Sequence, residues 1–134
     1  MIRRIAHACF AVRNLEDAAG FYLDKLGMTP AFDFIGDDGV RFGAYIHAGG
    51  GTFIELFAGQ PEAEAGGSFQ HICLQVDDID AAVVGLRNKG LEVSDPVLGE
   101  DGTWQAWLSD PDGNGIELHA YTPGSRQGPW VGES

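Results

Sequence analysis

The strongest constraint on this chain is that it carries one pattern twice. His7, Cys9, Val12, Leu15 and Ala18 recur as His71, Cys73, Val76, Ile79 and Ala82, each 64 residues later. Gly27-Met28 recurs as Gly90-Leu91 at a spacing of 63, and Phe53-Ile54-Glu55-Leu56 as Gly115-Ile116-Glu117-Leu118 at 62. A spacing that shrinks by two residues along an ordered series is what loop-length changes between two copies of one module produce. The chain is thereby restricted to folds built from a paired supersecondary unit.

Each copy reads the same way locally. Side chains alternate over Ile5–Val12 and His71–Val76, which predicts a strand in each. A helix follows, with Asn14 and Asp78 as N-caps and with Leu15, Ala18, Ala19, Tyr22 and Leu26 at helical spacing in the first copy. Gly27 and Gly90 stand where a left-handed residue would end those helices. Strand-like segments come next, about Thr29–Ile35, Val40–Ala48 and Thr52–Ala58 in the first copy. The second has about Leu91–Leu98, Thr103–Ser109 and Gly115–Tyr121. The plan is βαβββ twice, an α+β fold of two tandem modules, residues 1–58 and 68–121. Gly59–Gly67 has linker composition, and residues 122–134, with Pro123, Gly124, Gly128 and Pro129, read as an irregular C-terminal tail with Trp130 as a possible anchor.

Composition limits the partners. The chain is 44% hydrophobic and 21% charged, so packed modules are expected rather than disorder. Twenty acidic residues against eight basic ones give a net charge of −12, which argues against a nucleic-acid or anionic-membrane surface. No apolar run is long enough to span a bilayer, and the start Met1–His7 lacks the apolar core of a secretory signal. Two cysteines are too few for a disulfide scaffold, so a soluble protein of a reducing, cytoplasmic compartment is expected. Asp110-Pro111-Asp112-Gly113-Asn114-Gly115 begins like a calcium loop. Tyr121, however, stands where the bidentate glutamate belongs, so a tight turn is the reading.

The repeat also gathers chemistry. His7, Cys9 and Ala11 share one strand face, as do His71, Cys73 and Gln75, while Glu55 and Glu117 each sit within a strongly apolar strand. A carboxylate there should be paired, protonated or bound to a cation. Singly, each of these residues has an ordinary structural explanation. Their recurrence at equivalent places in both copies points instead to a matched set of two imidazoles and two carboxylates, His7, Glu55, His71 and Glu117. If a pseudo-twofold axis relates the copies, the four converge. Such a set suits one divalent ion, Ni²⁺, Co²⁺, Zn²⁺, Mn²⁺ or Fe²⁺. A two-His, two-Cys zinc site is the competing arrangement, but side chains two apart on a strand are separated by nearly ~7 Å, which makes buried, reduced cysteine the better reading.

The sequence resembles the vicinal oxygen chelate superfamily (glyoxalase, bleomycin resistance protein and extradiol dioxygenase), and within it glyoxalase I, the lactoylglutathione lyase family. The resemblance runs from about Ile2 to Tyr121. It is strongest at Phe21-Tyr22 with Leu26-Gly27-Met28, Phe53–Leu56, Gln70-His71-Ile72 with Val76-Asp77-Asp78, and Asp110–Leu118. It implies paired βαβββ modules forming an open, curved mixed sheet around a metal, with the ligands falling on His7, Glu55, His71 and Glu117, and in many members a homodimer. It further implies a metal-dependent lyase or isomerase acting on a small oxygenated substrate, in which Glu117 or Glu55 takes a proton and the ion stabilises the resulting enediolate or enolate.

The glutathione-binding pattern is not carried over. Ala11 stands where glyoxalase I commonly has Arg, Gly59 where it has Asn, and Leu98-Gly99-Glu100-Asp101 where a basic residue is frequent. Arg13, Gln60 or Arg126 could compensate only by a different geometry. Tyr45, His47, Trp104 and His119 are candidates for lining a substrate cavity, with Trp107 on the opposite face of its strand from Trp104. Two other functions share the fold. An iron(II) extradiol dioxygenase would need the coordination position that Glu55 takes. A drug- or metabolite-sequestering protein would have no use for four intact ligand residues.

Overall fold

The computed structural model describes residues 4–59, 69 and 71–131. Gln60 and most of the Gly59–Gly67 linker lie outside the described residues. The chain divides into two compact units, residues 1–68 and 69–134. In the first unit β1 (His7–Val12) leads to α1 (Leu15–Gly20), a π-helical turn (Phe21–Lys25), β2 (Thr29–Ile35), β3 (Arg41–Gly49) and β4 (Thr52–Ala58). In the second, β5 (His71–Gln75) leads to α2 (Ile79–Asn88), β6 (Val97–Leu98), β7 (Trp104–Ser109) and β8 (Gly115–Ala120). Each unit holds one four-stranded mixed sheet, ordered β1-β4-β3-β2 and β5-β8-β7-β6. The first strand of each copy runs parallel to the last, and the other pairings are antiparallel. The shared order is the repeat expressed as topology.

The helices begin and end for the reasons their sequences suggest. Asn14 and Asp78 have extended backbones, and each side chain accepts a 3.0 Å hydrogen bond, from the amides of Asp17 and Ala81. These bonds satisfy donors that a first turn leaves orphaned. Gly27 and Gly90 take φ of 75° and 86°, the left-handed conformation that closes a helix. Past Gly20 the first helix widens: the amide of Leu26 reaches the carbonyl of Phe21 at 3.0 Å, five residues back. That π turn lets two adjacent aromatics, Phe21 and Tyr22, both face inward, with ring centroids 5.1 Å apart.

Alternation gives each sheet one covered face. In the first unit Phe10, Val12, Ala44, Ile46, Ile54 and Leu56 are buried together with the helical Leu15, Ala18 and Tyr22. In the second, Ala106, Leu108, Ile116, Leu118 and Ala120 are buried with Ile79 and Val83 of α2. Each such large side chain contributes about 1.5–3 kcal/mol of hydrophobic stabilisation. The opposite faces carry His7, Cys9 and Glu55, or His71, Cys73 and Glu117.

The strand expected over Leu91–Leu98 forms only at Val97–Leu98. Side chains satisfy much of the backbone before it. The Arg87 guanidinium holds the Val93 carbonyl, at 3.2 Å from Nε and 2.8 Å from Nη2, and the Trp107 amide bonds Ser94 Oγ at 2.8 Å. Pro96 has no amide to give to a ladder. The Asp110 turn is local, as expected: Asp110 Oδ1 accepts the amides of Asp112 and Asn114 at 2.9 and 2.8 Å. The tail has no helix or strand through Val131 but is tied to the turn before β7. Buried Thr103 Oγ1 lies 2.8 Å from Ser125 Oγ and 3.1 Å from Gln127 Oε1, and the Arg126 amide donates to the Asp101 carbonyl at 2.8 Å. Trp130, considered as an anchor, is 70% exposed. No described helix is long and apolar enough to cross a membrane.

Candidate metal centre

Strand register builds the open face of the first sheet in rows. His7 of β1 pairs with Phe53 of β4, which pairs with His47 of β3. The next row is Cys9, Glu55 and Tyr45, and the one after it Ala11, Phe57 and Gly43. His7 Nε2 stands 3.8 Å from Glu55 Oε1, and the Tyr45 hydroxyl lies 3.1 Å from His7 Nδ1. One imidazole nitrogen is thereby tethered to a phenol while the other faces the carboxylate. His47 packs its ring on Phe53, with centroids 5.3 Å apart, and its Nε2 accepts the Gly51 amide at 3.4 Å.

The second sheet repeats this with different neighbours. Cys73, Glu117 and Trp107 form one row, and Gln75, His119 and Gln105 the next. His71 Nε2 is 3.1 Å from Glu117 Oε2, and the His71 ring stands edge-on to Trp107 at 4.7 Å. His119 Nε2 reaches the other oxygen, Glu117 Oε1, at 2.9 Å. Glu117 is buried, its side chain 10% exposed against 17% for Glu55. Trp104, in contrast, pairs with Ala120 and lies on the alternate face with Ala106 and Leu108, so Trp107 is the tryptophan that shares a face with Glu117. Trp107, Leu91, Val93 and Leu108 line an open cavity of about 710 Å³.

Both cysteines face a glutamate across the parallel pairing, and both are exposed rather than buried as the sequence suggested, because they lie on the uncovered face of their sheets. Withdrawal from water pushes the Cys9 thiol above its ordinary pKa, and the hydrogen bond to Glu55 and its charge push the same way. At Cys73 the same causes are stronger: desolvation first, then the charge of Glu117, the hydrogen bond to it, and the charge of Asp101, together raising the thiol to about 12. A thiol raised this far is protonated at neutral pH. Donor atoms of Cys73, Glu117 and His119 do nevertheless lie within 4.8 Å of one another.

The donors suit a divalent ion. Two ligand atoms about 2.1 Å from one metal stand about 3.0 Å apart at right angles and about 3.4 Å apart at the tetrahedral angle. The His71–Glu117 separation of 3.1 Å falls in that interval, and the His7–Glu55 separation of 3.8 Å needs only a small side-chain shift. Imidazole and carboxylate together are acceptable to first-row divalent metals.

A family model, the glyoxalase/bleomycin resistance protein/dioxygenase superfamily, matches residues 4–118. The chain belongs to that superfamily. It is 32% identical over 127 residues to a probable lactoylglutathione lyase of Vibrio parahaemolyticus, covering 86% of this chain and 88% of that one. It is 35% identical over 133 residues to an ethylmalonyl-CoA/methylmalonyl-CoA epimerase of Cereibacter sphaeroides, covering 88% and 98%. The fold matches that of TnmS3, an antibiotic-binding protein of Streptomyces, with a TM-score of 0.74 and 30% identity over 90% of this chain and 98% of that one.

Sequence reasoning singled out His7, Glu55, His71 and Glu117, which the structure brings together as one His–Glu pair in each module, but missed three relations: Tyr45 on His7, each cysteine beside its glutamate, and His119 on Glu117. The last was accessible in part, because residues two apart on a strand share a face. The Tyr45 contact depends on the β3–β4 register, which the tight Gly49–Gly51 connection sets.

Proposed function

We propose that this chain is a divalent-metal-dependent isomerase or lyase that removes a proton from carbon next to a carbonyl in a small oxygenated substrate. His7, Glu55, His71 and Glu117 are its metal ligands. The observation that carries this reading is the repeated pair: in each module one imidazole and one carboxylate share a sheet face, with facing donor atoms 3.8 and 3.1 Å apart. The lyase and epimerase names of its relatives support the same class of step, since an epimerase must break and remake a bond at one stereocentre.

A bound divalent ion would polarise the substrate oxygens and stabilise the negative charge that develops when the proton leaves. The chain's own groups do the rest. Glu55 or Glu117 takes the proton, each standing in an apolar strand where little water competes for it. Tyr45 steadies His7 through Nδ1, leaving Nε2 directed at the Glu55 side. Trp107 stands edge-on to the His71 ring and offers an apolar surface beside it.

The substrate we propose is not a glutathione adduct. Ala11 stands beside Phe57, and Phe34 and Phe57 close over Gly43 with centroids 5.1 Å apart. That end of the first sheet offers aromatic surface where a peptide carboxylate would need a cation. The same surface supports a second reading, a metabolite- or antibiotic-sequestering protein, which the 30% identity to TnmS3 also favours.

Metal analysis of the purified protein decides between these, combined with turnover of the methylglyoxal–glutathione hemithioacetal and of a methylmalonyl thioester. Bound metal with thioester epimerisation is the expected result. Failure to retain or bind Ni²⁺, Co²⁺, Zn²⁺ or Mn²⁺ would overturn the proposal and leave sequestration. Full activity in both Glu55→Gln and Glu117→Gln, with metal still bound, would remove the glutamates as bases.

A further inference from the structure

The two modules match in their His–Glu pairs but not in what stands two residues beyond each glutamate. In β4 that residue is Phe57; in β8 it is His119. Residues two apart on a strand point to one face, yet extended backbone keeps their Cβ atoms nearly ~7 Å apart, so only a long polar side chain can reach back to a neighbouring carboxylate. His119 does so, with Nε2 2.9 Å from Glu117 Oε1. Its side chain is 16% exposed, and its ring packs edge-on against Tyr121 with centroids 5.8 Å apart. Glu117 is thus bracketed by two imidazoles on different oxygens, His119 on Oε1 and His71 on Oε2 at 3.1 Å. In the first module the ring of Phe57 has no group to hold a carboxylate, and Glu55 stands further from its histidine, at 3.8 Å.

We propose that His119 is a positioning residue for Glu117: it donates its Nε2–H to Oε1 and so leaves Oε2 turned to the His71 side as the metal-binding atom. The inference rests on the ligand set proposed above and adds an asymmetry to it. In the second module the carboxylate is approached by an imidazole at each oxygen, whereas in the first Glu55 has a single imidazole, at 3.8 Å. A carboxylate held through one oxygen loses less freedom when the other oxygen takes a ligand, and such outer contacts typically govern 10–100-fold in metal affinity.

The test is cobalt(II) affinity of the full chain, measured by calorimetric titration to millimolar metal, for wild type, H119F, H119Q, E117Q and the E117Q/H119F double variant. H119F gives the second module the first module's residue and is expected to weaken binding by about 10–100-fold. H119Q places an amide N–H near the same carboxylate and is expected to stay within a few-fold of wild type. Because His119 acts through Glu117, H119F should cost almost nothing further once Glu117 is Gln. H119A replaces H119F in the comparison if circular dichroism shows the phenylalanine variant to be unfolded. Binding by the His119 variant equal to wild type would overturn the inference while leaving the ligand set standing. An undiminished effect in the E117Q background would overturn it too, by making His119 a ligand in its own right. Wild-type protein that binds no cobalt would instead remove the ligand set, and the inference with it.

Discussion

Cys73 offers a direct chemical probe of how closely Glu117 is held. Its thiol is raised from 9.0 to about 12, first by withdrawal from water, then by the charge of Glu117 and the hydrogen bond to it, and last by Asp101. Only the thiolate attacks a disulfide reagent. At pH 8 a thiol with a pKa of about 12 is about one part in 10⁴ ionised, against about one in ten for an unperturbed one, a ~1,000-fold deficit. A more basic thiolate is also the better nucleophile, with a Brønsted slope of about 0.4–0.5, which returns a factor of about 15–30 over three pKa units. The net expectation is a Cys73 that reacts about 30–60-fold more slowly than a model thiol at pH 8. The assay is release of thionitrobenzoate from Ellman's reagent by a Cys9→Ser variant in EDTA, followed from pH 7 to 10.5. Since the neutral thiol is the favoured form below the raised pKa, the rate should keep climbing tenfold per pH unit past 9, where an ordinary thiol levels off. Glu117→Gln removes two of the raising causes and should speed the reaction severalfold at pH 8. A rate in Cys9→Ser equal to that of a model thiol, or a Glu117→Gln rate unchanged, would refute the described contact between sulfur and carboxylate.

Two further predictions concern the first module. Gly43→Ala would put a Cβ 2.8 Å from Phe57 Cδ1 and 2.9 Å from both Phe34 Cδ2 and the Leu56 carbonyl. The last is backbone and cannot move aside, so urea denaturation should show a loss of about 1–3 kcal/mol, and an unchanged midpoint would contradict the packing. Tyr45→Phe keeps the ring that stacks on Phe32 and Phe53 at 4.7 and 4.8 Å but loses the hydroxyl 3.1 Å from His7 Nδ1. Metal affinity should fall about tenfold with little change in stability, and equal affinity by calorimetry would leave Tyr45 without an orienting role.

The asymmetry between the modules bears on specificity as well as on affinity. The first sheet carries Phe32, Phe34, Tyr45, Phe53 and Phe57 on or beside the Glu55 face. The second carries Gln75, Gln105 and His119 around Glu117. The surroundings of the two glutamates therefore differ within their own sheets, aromatic at Glu55 and polar at Glu117.

The repeat, the βαβββ order, the caps at Asn14 and Asp78 and the left-handed glycines were all legible in the sequence, as was the placing of each His and Glu on the uncovered face of its sheet. Each follows from a local rule: alternation assigns a face, a short polar side chain satisfies an orphaned amide, and a missing Cβ permits positive φ. Only the tertiary structure decided which groups meet across strands. Leu91–Pro96 remains outside the sheet because Arg87 and Ser94 take up hydrogen bonds that a ladder would have used. Trp107, not Trp104, shares the Glu117 face, because the register pairs it with that residue. Tyr45 meets His7, and the cysteines meet the glutamates, for the same reason. Periodicity says which way a side chain points, whereas its neighbour on the next strand depends on turn length and bulges, which are properties of the assembled sheet.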